Sequence, residues 1–260
     1  MADDVLIRRD GEVQVIRLNR PGKKNALTRA MYDSVTQALG SGETDRNVAV
    51  HVIMGTDGVF CAGNDIQDFA KRATDLGAAG GASSFIQALP GLEKPLIAAV
   101  DGLAIGVGVT MLFHCDLVYA TPAASFRTPF LDLGLVMEAG SSWLAPQIMG
   151  HQRAFELLCL GEPFNADAAY RAGFVNRIVD ADRLEAEALK AAMRLAEKPR
   201  AALVAAKHLM RAGAKDRALE QMAREGALFA ELMRSPEARE AFAAFLEKRR
   251  PDFAKARAHE

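Results

Sequence analysis

Glu138 stands in the segment 126–142, FRTPFLDLGLVMEAGSS, between an apolar run and a turn of small residues. Leu133, Leu135, Val136 and Met137 precede it. If that run is buried, the carboxylate loses solvation, its pKa rises, and it becomes a usable base near neutral pH. Two glycine-bearing segments far upstream have the composition to work beside such a base. In 60–66 (FCAGNDI) a strand end meets a small-residue turn and then a helix start, which can leave the Asn64 N–H without an internal partner. In 101–108 (DGLAIGVG) a helix is expected immediately after the glycines, and free N–H groups near Val107 can stabilise negative charge developing on an oxygen. The residues alone leave a second reading open for each segment. Gly63 can serve a tight turn through its backbone angles, the 106–108 region can serve close packing of helix on strand, and Glu138 can be a simple helix-start carboxylate near Ser141 and Ser142.

Other chemistries find less support. The 101–108 glycines do not match the GxGxxG dinucleotide spacing. Cys61, Cys115 and Cys159 form no CxxC pair, so neither a disulfide framework nor a zinc site is implied. His51, His114, His151, His208 and His259 are scattered, and no metal site is expected. Cys61 lies beside the first turn, yet no histidine is placed in sequence to activate it, and small-residue packing is its expected role. With 260 residues, half of them hydrophobic, and a net charge of −1, the composition is that of a soluble globular protein. There is no basic stripe to bind nucleic acid, and Lys248, Arg249 and Arg250 read as a solvated helix end. No run of about 18 apolar residues points to a membrane span, and the acidic start MADDVLIRRD lacks the features of a signal peptide. A cytoplasmic location is expected.

The elements that must position these residues follow from local patterns. Val5 to Ile7 and Val13 to Leu18 alternate across Asp10-Gly11 as a hairpin. Thr28 can cap a helix running to about Leu39, Val48 to Met54 reads as a buried strand, and a short helix is expected after Asn64 through Arg72. The stretch 77–84, GAAGGASS, reads as a mobile loop beside a site. A strand over 96–100, a glycine-rich turn, a helix near 107–114 and a strand over 117–119 come next. Helices are expected around 143–149 and 153–160, then an Asn165-capped helix and a strand over 175–179. Beyond Asp182 strand signals stop and helical spacing takes over, with Pro199 and Ser235-Pro236 as helix starts.

Together the segments 60–66 and 101–108 resemble the enoyl-CoA hydratase/isomerase (crotonase) family. The run RPGKKNAL at 20–27 matches that family's N-terminal signature, and CDLVY at 115–119, AGFV at 172–175 and FLEKRRPDF at 245–253 agree with it in order. The resemblance spans nearly the whole chain. It implies an α/β fold, a spiral of ββα units over 1–195 with a C-terminal helical trimerisation region over 196–260, and a homotrimer or dimer of trimers. It also implies an acyl-CoA thioester as substrate, with CoA carried in as part of that substrate and no separate cofactor. The thioester oxygen would be held by the Asn64 and Val107 amides. Lys23 and Lys24 would lie near the phosphates, Ala26 and Leu27 near the pantetheine, and Ala62, Asp65 and Ile66 along the adenine pocket.

Family hydratases carry two glutamates to activate water, and at the matching positions this chain has Thr110 and Phe130. Adding water needs a base for the water and an acid for the α-carbon, and an apolar Phe130 supplies neither. Glu138 resembles instead the glutamate of Δ3,Δ2-enoyl-CoA isomerases, in the pattern LGLxxExG, with the neighbouring ASFRTPF and GSS segments similar as well. That likeness implies a single-carboxylate proton shuttle. An enoyl-CoA hydratase and a non-catalytic acyl-CoA-binding member of the family are the alternatives.

Overall fold

Residues 3–56, 58–65 and 81–257 are described by the computed structural model of the chain. The chain opens with a hairpin of β1 (Val5–Asp10) and β2 (Val13–Leu18), paired antiparallel from Val5 with Leu18 to Asp10 with Val13. Gly11 turns it with a φ of +57°, a backbone angle that costs glycine little. Helix α1 (Arg29–Thr44) starts where Thr28 accepts a hydrogen bond from the Met31 N–H, and it runs well past the expected Leu39. Its apolar side, including Met31, Tyr32, Val35 and Leu39, is buried.

From there the chain lays strands alternately into two sheets. Strands β3 (Val50–Met54), β5 (Leu96–Val100), β7 (Leu117–Ala120) and β10 (Arg177–Ile178) extend the hairpin into a six-stranded sheet of order β1-β2-β3-β5-β7-β10. Every pairing in it after the hairpin is parallel. Strands β4 (Val59–Cys61), β6 (Leu103–Ile105), β8 (Ser125–Arg127) and β9 (Phe164–Asn165) form the second sheet in that order. Each of β3, β5 and β7 is thus followed at once by its counterpart in the other sheet, the repeated unit of a spiral. Asp101 ties three of the corners, accepting from the Gly58 N–H at 2.6 Å and from the Thr121 hydroxyl at 2.7 Å. Gly102 is required at its corner: its φ is +61°, and a Cβ there would stand 1.8 Å from the Gly58 carbonyl oxygen.

One apolar cluster joins the sheets, with Ile53, Ala98 and Val100 from the first and Phe60, Ala104 and Phe126 from the second. The other face of the first sheet, Val15, Val52 and Ile97, is covered by Leu184, Ala188 and Ala192 of the helix Ala181–Ala196. A parallel sheet buried on both faces explains the nearly continuous apolar strands. Between them run α2 (Ala82–Ala88), α3 (Val107–Thr110) with a 3-10 turn Met111–His114, α4 (Ser141–Met149), α5 (His151–Phe155) with a π turn Glu156–Leu160, and α6 (Ala166–Ala172) capped by Asn165. The tail is helical throughout: α7 (Ala181–Ala196), α8 (Arg200–Met210), α9 (Ala214–Leu232), α10 (Pro236–Leu246) and α11 (Phe253–Arg257).

Three expectations differ from what is seen. Helix α2 begins at Ala82, inside the stretch read as a loop, because Phe85 and Leu89 bury themselves and Phe85 packs on Tyr32 at 5.6 Å between rings. Only residues 81–84 of that stretch, and none of the helix expected after Asn64 beyond Asp65, fall among the described residues. The strand expected over 175–179 is two residues long. Strands β6, β8 and β9, of two or three residues each, had no expected counterpart, since an alternation of period two is not visible over so short a run.

Candidate active site

The ends of β4 and β6 are parallel neighbours, and each runs into a glycine turn, so both turns open on the same edge of the second sheet. Gly63, at φ +85°, passes so close to β6 that a Cβ would stand 3.0 Å from the Ile105 carbonyl oxygen. Gly108 packs on β4 in the same way, with a Cβ 2.8 Å from the Cys61 carbonyl oxygen. Leu27 donates its N–H to the Gly63 carbonyl at 2.8 Å and accepts from the Asp65 N–H at 2.9 Å. This parallel bridge turns the Asn64 N–H away from Leu27. Val107 is the first residue of α3, and a first-turn N–H has no partner inside its helix. Among the described residues no acceptor takes either N–H. The Asn64 side chain is held in turn by Tyr32, whose hydroxyl donates to Oδ1 at 2.6 Å.

Both residues line a cavity of about 910 Å3. Of the other residues singled out in the sequence, Lys23, Ala26, Ala62 and Asp65 line it as well, while Lys24, Leu27 and Glu138 do not. Leu27 is buried, and Lys24 accepts from the Ala62 N–H at 3.0 Å through its carbonyl. Both therefore brace the 20–27 loop against the first turn. Ile66 lies outside the described residues. The apolar walls come from Ile105, Phe130 and Leu135 on one side and from Phe229, Phe242 and Phe245 of the tail helices on the other. Among the described residues two carboxylates reach this cavity, and each is neutralised by an arginine: Asp65 pairs with Arg20 at 2.8 Å and Asp132 with Arg127 at 3.0 Å.

Glu138 is not part of the cavity lining and is joined to α3. Thr110, fully buried at the end of α3, donates its hydroxyl to Glu138 Oε1 at 2.5 Å. Burial pushes the Glu138 carboxyl from 4.5 up to about 7; the Thr110 hydrogen bond opposes the rise, and the negative charge of Glu225 adds to it. Cys61 is close enough to feel the Glu138 charge, and burial above all pushes its thiol up to about 12. It stays protonated at neutral pH and is no nucleophile. After Glu138 the backbone enters the left-handed region twice in succession, at Ala139 (φ +60°) and Gly140 (φ +70°). The Ala139 carbonyl accepts from His114 Nε2 at 2.7 Å, and burial pushes His114 down to about 4, so its ring is neutral with the proton on Nε2.

Two amides on one cavity without a partner among the described residues, and a carboxyl raised to about 7 that is tied through Thr110 to the helix of the second amide, suit proton transfer next to a polarised carbonyl. Among the described residues no group of three or more His, Cys, Asp or Glu side chains is set to hold a metal ion. Two parts of the arrangement escape the sequence. Thr110 marks the place of an absent carboxylate there but is the hydrogen-bond partner of Glu138 in the fold. Glu225 carries no local signal at all in a charged helix.

The chain matches the family model described as enoyl-CoA hydratase/isomerase over residues 8–256. It is 32% identical over 250 residues to the 2,3-dehydroadipyl-CoA hydratase of Escherichia coli (strain K12), covering 96% of this chain and 98% of that one. It is 33% identical over 218 residues to enoyl-CoA delta isomerase 2 of Rattus norvegicus, covering 82% of this chain and 56% of that one. A crystal structure of an enoyl-CoA hydratase/isomerase from Pseudoalteromonas atlantica T6c superposes with a TM-score of 0.92 at 38% identity, covering 96% of this chain and all of that one. The chain belongs to the enoyl-CoA hydratase/isomerase family, and its two-sheet spiral is the crotonase fold.

Proposed function

We propose that the chain is a Δ3,Δ2-enoyl-CoA isomerase. The observation that carries this reading is the lone carboxyl of Glu138, lifted to about 7 and hydrogen-bonded to the helix that offers the Val107 N–H. Thr110 and Phe130 stand at the positions where the family's hydratases carry their two glutamates. The thioester oxygen accepts from the Asn64 and Val107 amides, which acidifies C2 of a 3-enoyl-CoA. Glu138 takes that proton, the dienolate rests on the two N–H groups, and the protonated Glu138 returns the proton to C4. The double bond moves into conjugation with no net gain or loss of atoms or electrons. Removing one such N–H donor raises the barrier by about 3 kcal/mol in enzymes that use them.

Lys23 serves the phosphates of CoA, Ala26 the pantetheine, and Ala62 and Asp65 the adenine, while Lys24 and Leu27 act by bracing the loop that carries these groups. CoA arrives with the substrate, and the reaction requires no further cofactor. A homotrimer or dimer of trimers built by the tail helices, acting in fatty-acid breakdown in the cytoplasm, completes the reading.

The test is Glu138→Gln, assayed with 3-enoyl-CoA esters of several lengths. Loss of isomerisation by about a hundredfold or more, with acyl-CoA binding retained, is expected; undiminished turnover would remove Glu138 from the chemistry. The 2,3-dehydroadipyl-CoA hydratase relative favours a second reading, a hydratase, and fast hydration of crotonyl-CoA by the unmodified protein would select it.

A further inference from the structure

We propose that Glu225, far from the cavity in sequence and absent from its walls, is a positioning residue: its carboxylate grips the turn 138–142 and fixes where Glu138 stands. Glu225 lies on α9 and is 4% exposed. Its Oε2 accepts from the Gly140 N–H at 2.7 Å, and its Oε1 accepts from the Ser142 N–H at 2.9 Å and from the Ser142 hydroxyl at 2.5 Å. Gln221, one turn earlier on α9, donates to the same hydroxyl at 2.8 Å. Three donors and no acceptor face the two oxygens of Glu225, which is what an ionised carboxylate satisfies and an amide does not. The gripped N–H groups belong to the N-cap and first turn of α4, where orphan donors and the helix dipole favour a negative charge.

The turn needs such a grip. Ala139 and Gly140 are both left-handed, a conformation that a non-glycine residue holds only when its surroundings impose it. The Glu138 carbonyl is pinned by Ser141, through its N–H at 3.1 Å and its hydroxyl at 2.6 Å. Helix α9 presses on the turn directly, since a Cβ on Gly140 would lie 3.3 Å from the Ala218 carbonyl oxygen. The Glu138 carboxylate is thus aimed from one side by Thr110 and from the other by Glu225 through the backbone.

Burial raises the Glu225 carboxyl itself, against which the Ser142 and Gly140 donors hold it ionised, and its charge is one of the influences that raise Glu138. Two other titratable groups near the turn, Cys61 and His114, are neutral at pH 7. Cys61 is pushed up to about 12, and His114, with Arg211 and Lys207 behind it, is pushed down to about 4. Removing the Glu225 charge should therefore move the Glu138 midpoint toward acid while loosening its aim.

The kinetic part of this inference rests on the isomerase reading, and the spectroscopic part does not. Glu225→Gln is assayed with 3-enoyl-CoA, and the Glu138 carboxyl is followed by 13C NMR, its signal assigned by its loss in Glu138→Gln. The expected result is a fall in kcat of about tenfold or more with KM within about threefold, since a small misplacement of a reacting group costs this much. The Glu138 midpoint should fall by at least half a pH unit. Unchanged kcat and midpoint would overturn the proposal. If Glu225→Gln does not fold, Ser142→Ala, which removes one of the three donors and leaves the charge, decides: kcat falls about threefold to tenfold with the midpoint in place, and wild-type kcat overturns it. Should the unmodified protein isomerise nothing, the isomerase reading fails by itself, and the midpoint shift still tests the inference about Glu225.

Discussion

If Glu138 is the base proposed above, its ionisation links activity to stability, and Glu138→Gln separates the two. In the unfolded chain a glutamate titrates near 4.5, whereas burial holds Glu138 at about 7 in the fold. At about 1.4 kcal/mol per tenfold change in proton affinity, carrying the ionised side chain costs the folded protein at most about 3.5 kcal/mol. Water reaching the part-exposed residue can only reduce that figure. The sign follows from proton counting. Below pH 4.5 both states hold the proton and there is no penalty. Between 4.5 and 7 the folded state keeps a proton that the unfolded state has released, so stability falls as pH rises through this window. Above 7 the penalty is constant. The glutamine keeps an oxygen to accept from Thr110 and carries no charge, so it escapes the penalty. Urea unfolding of both proteins at pH 5, 6, 7 and 8 should show Glu138→Gln gaining on wild type with rising pH, by about 2–3 kcal/mol across the series, while isomerase activity is absent throughout. Wild-type kcat/KM should fall about tenfold per pH unit below 7 as the base is protonated. Parallel stability curves for the two proteins would refute the claim that Glu138 is held out of water, and with it the physical basis for calling it a base.

Thr110→Val keeps the buried shape of the side chain and removes the hydroxyl that favours ionised Glu138. The acid limb of its pH–rate profile should move to higher pH, with kcat at pH 7 down severalfold; a shift toward acid would contradict the assigned hydrogen bond. Gly108→Ala places a methyl 2.8 Å from the Cys61 carbonyl oxygen, and overpacking of this kind costs about 1–3 kcal/mol. Because the strain falls one residue from the Val107 N–H, kcat should drop about tenfold or more even at temperatures where circular dichroism shows the variant folded, and wild-type kcat would disconnect that amide from the reaction.

Much of the fold is written locally. Thr28, Asn165 and Ser235 each accept the capping bond expected of them, from Met31, Ala168 and Ala238, because a cap involves residues three apart and leaves a mark in composition. The hairpin about Gly11 is of the same kind. The second sheet is not, since β6, β8 and β9 owe their strand character to neighbours that the spiral brings alongside and not to any pattern of their own. The tail helices could be read as helices from their spacing, but nothing in that spacing told that Phe229, Phe242 and Phe245 would face the cavity.

The candidate site divides along the same line. By itself the sequence determined the types: a glutamate following an apolar run, glycines where N–H groups must be left free, and no acid at 110 or 130. Those are properties of single residues and short segments. Only the tertiary structure decided that Thr110, 28 residues away, would hold Glu138, and that Glu225, 85 residues from Gly140, would hold its turn. A hydrogen bond between side chains distant in sequence has no local signature, because its strength comes from burial and from approach, and both are created by the packing of the whole chain.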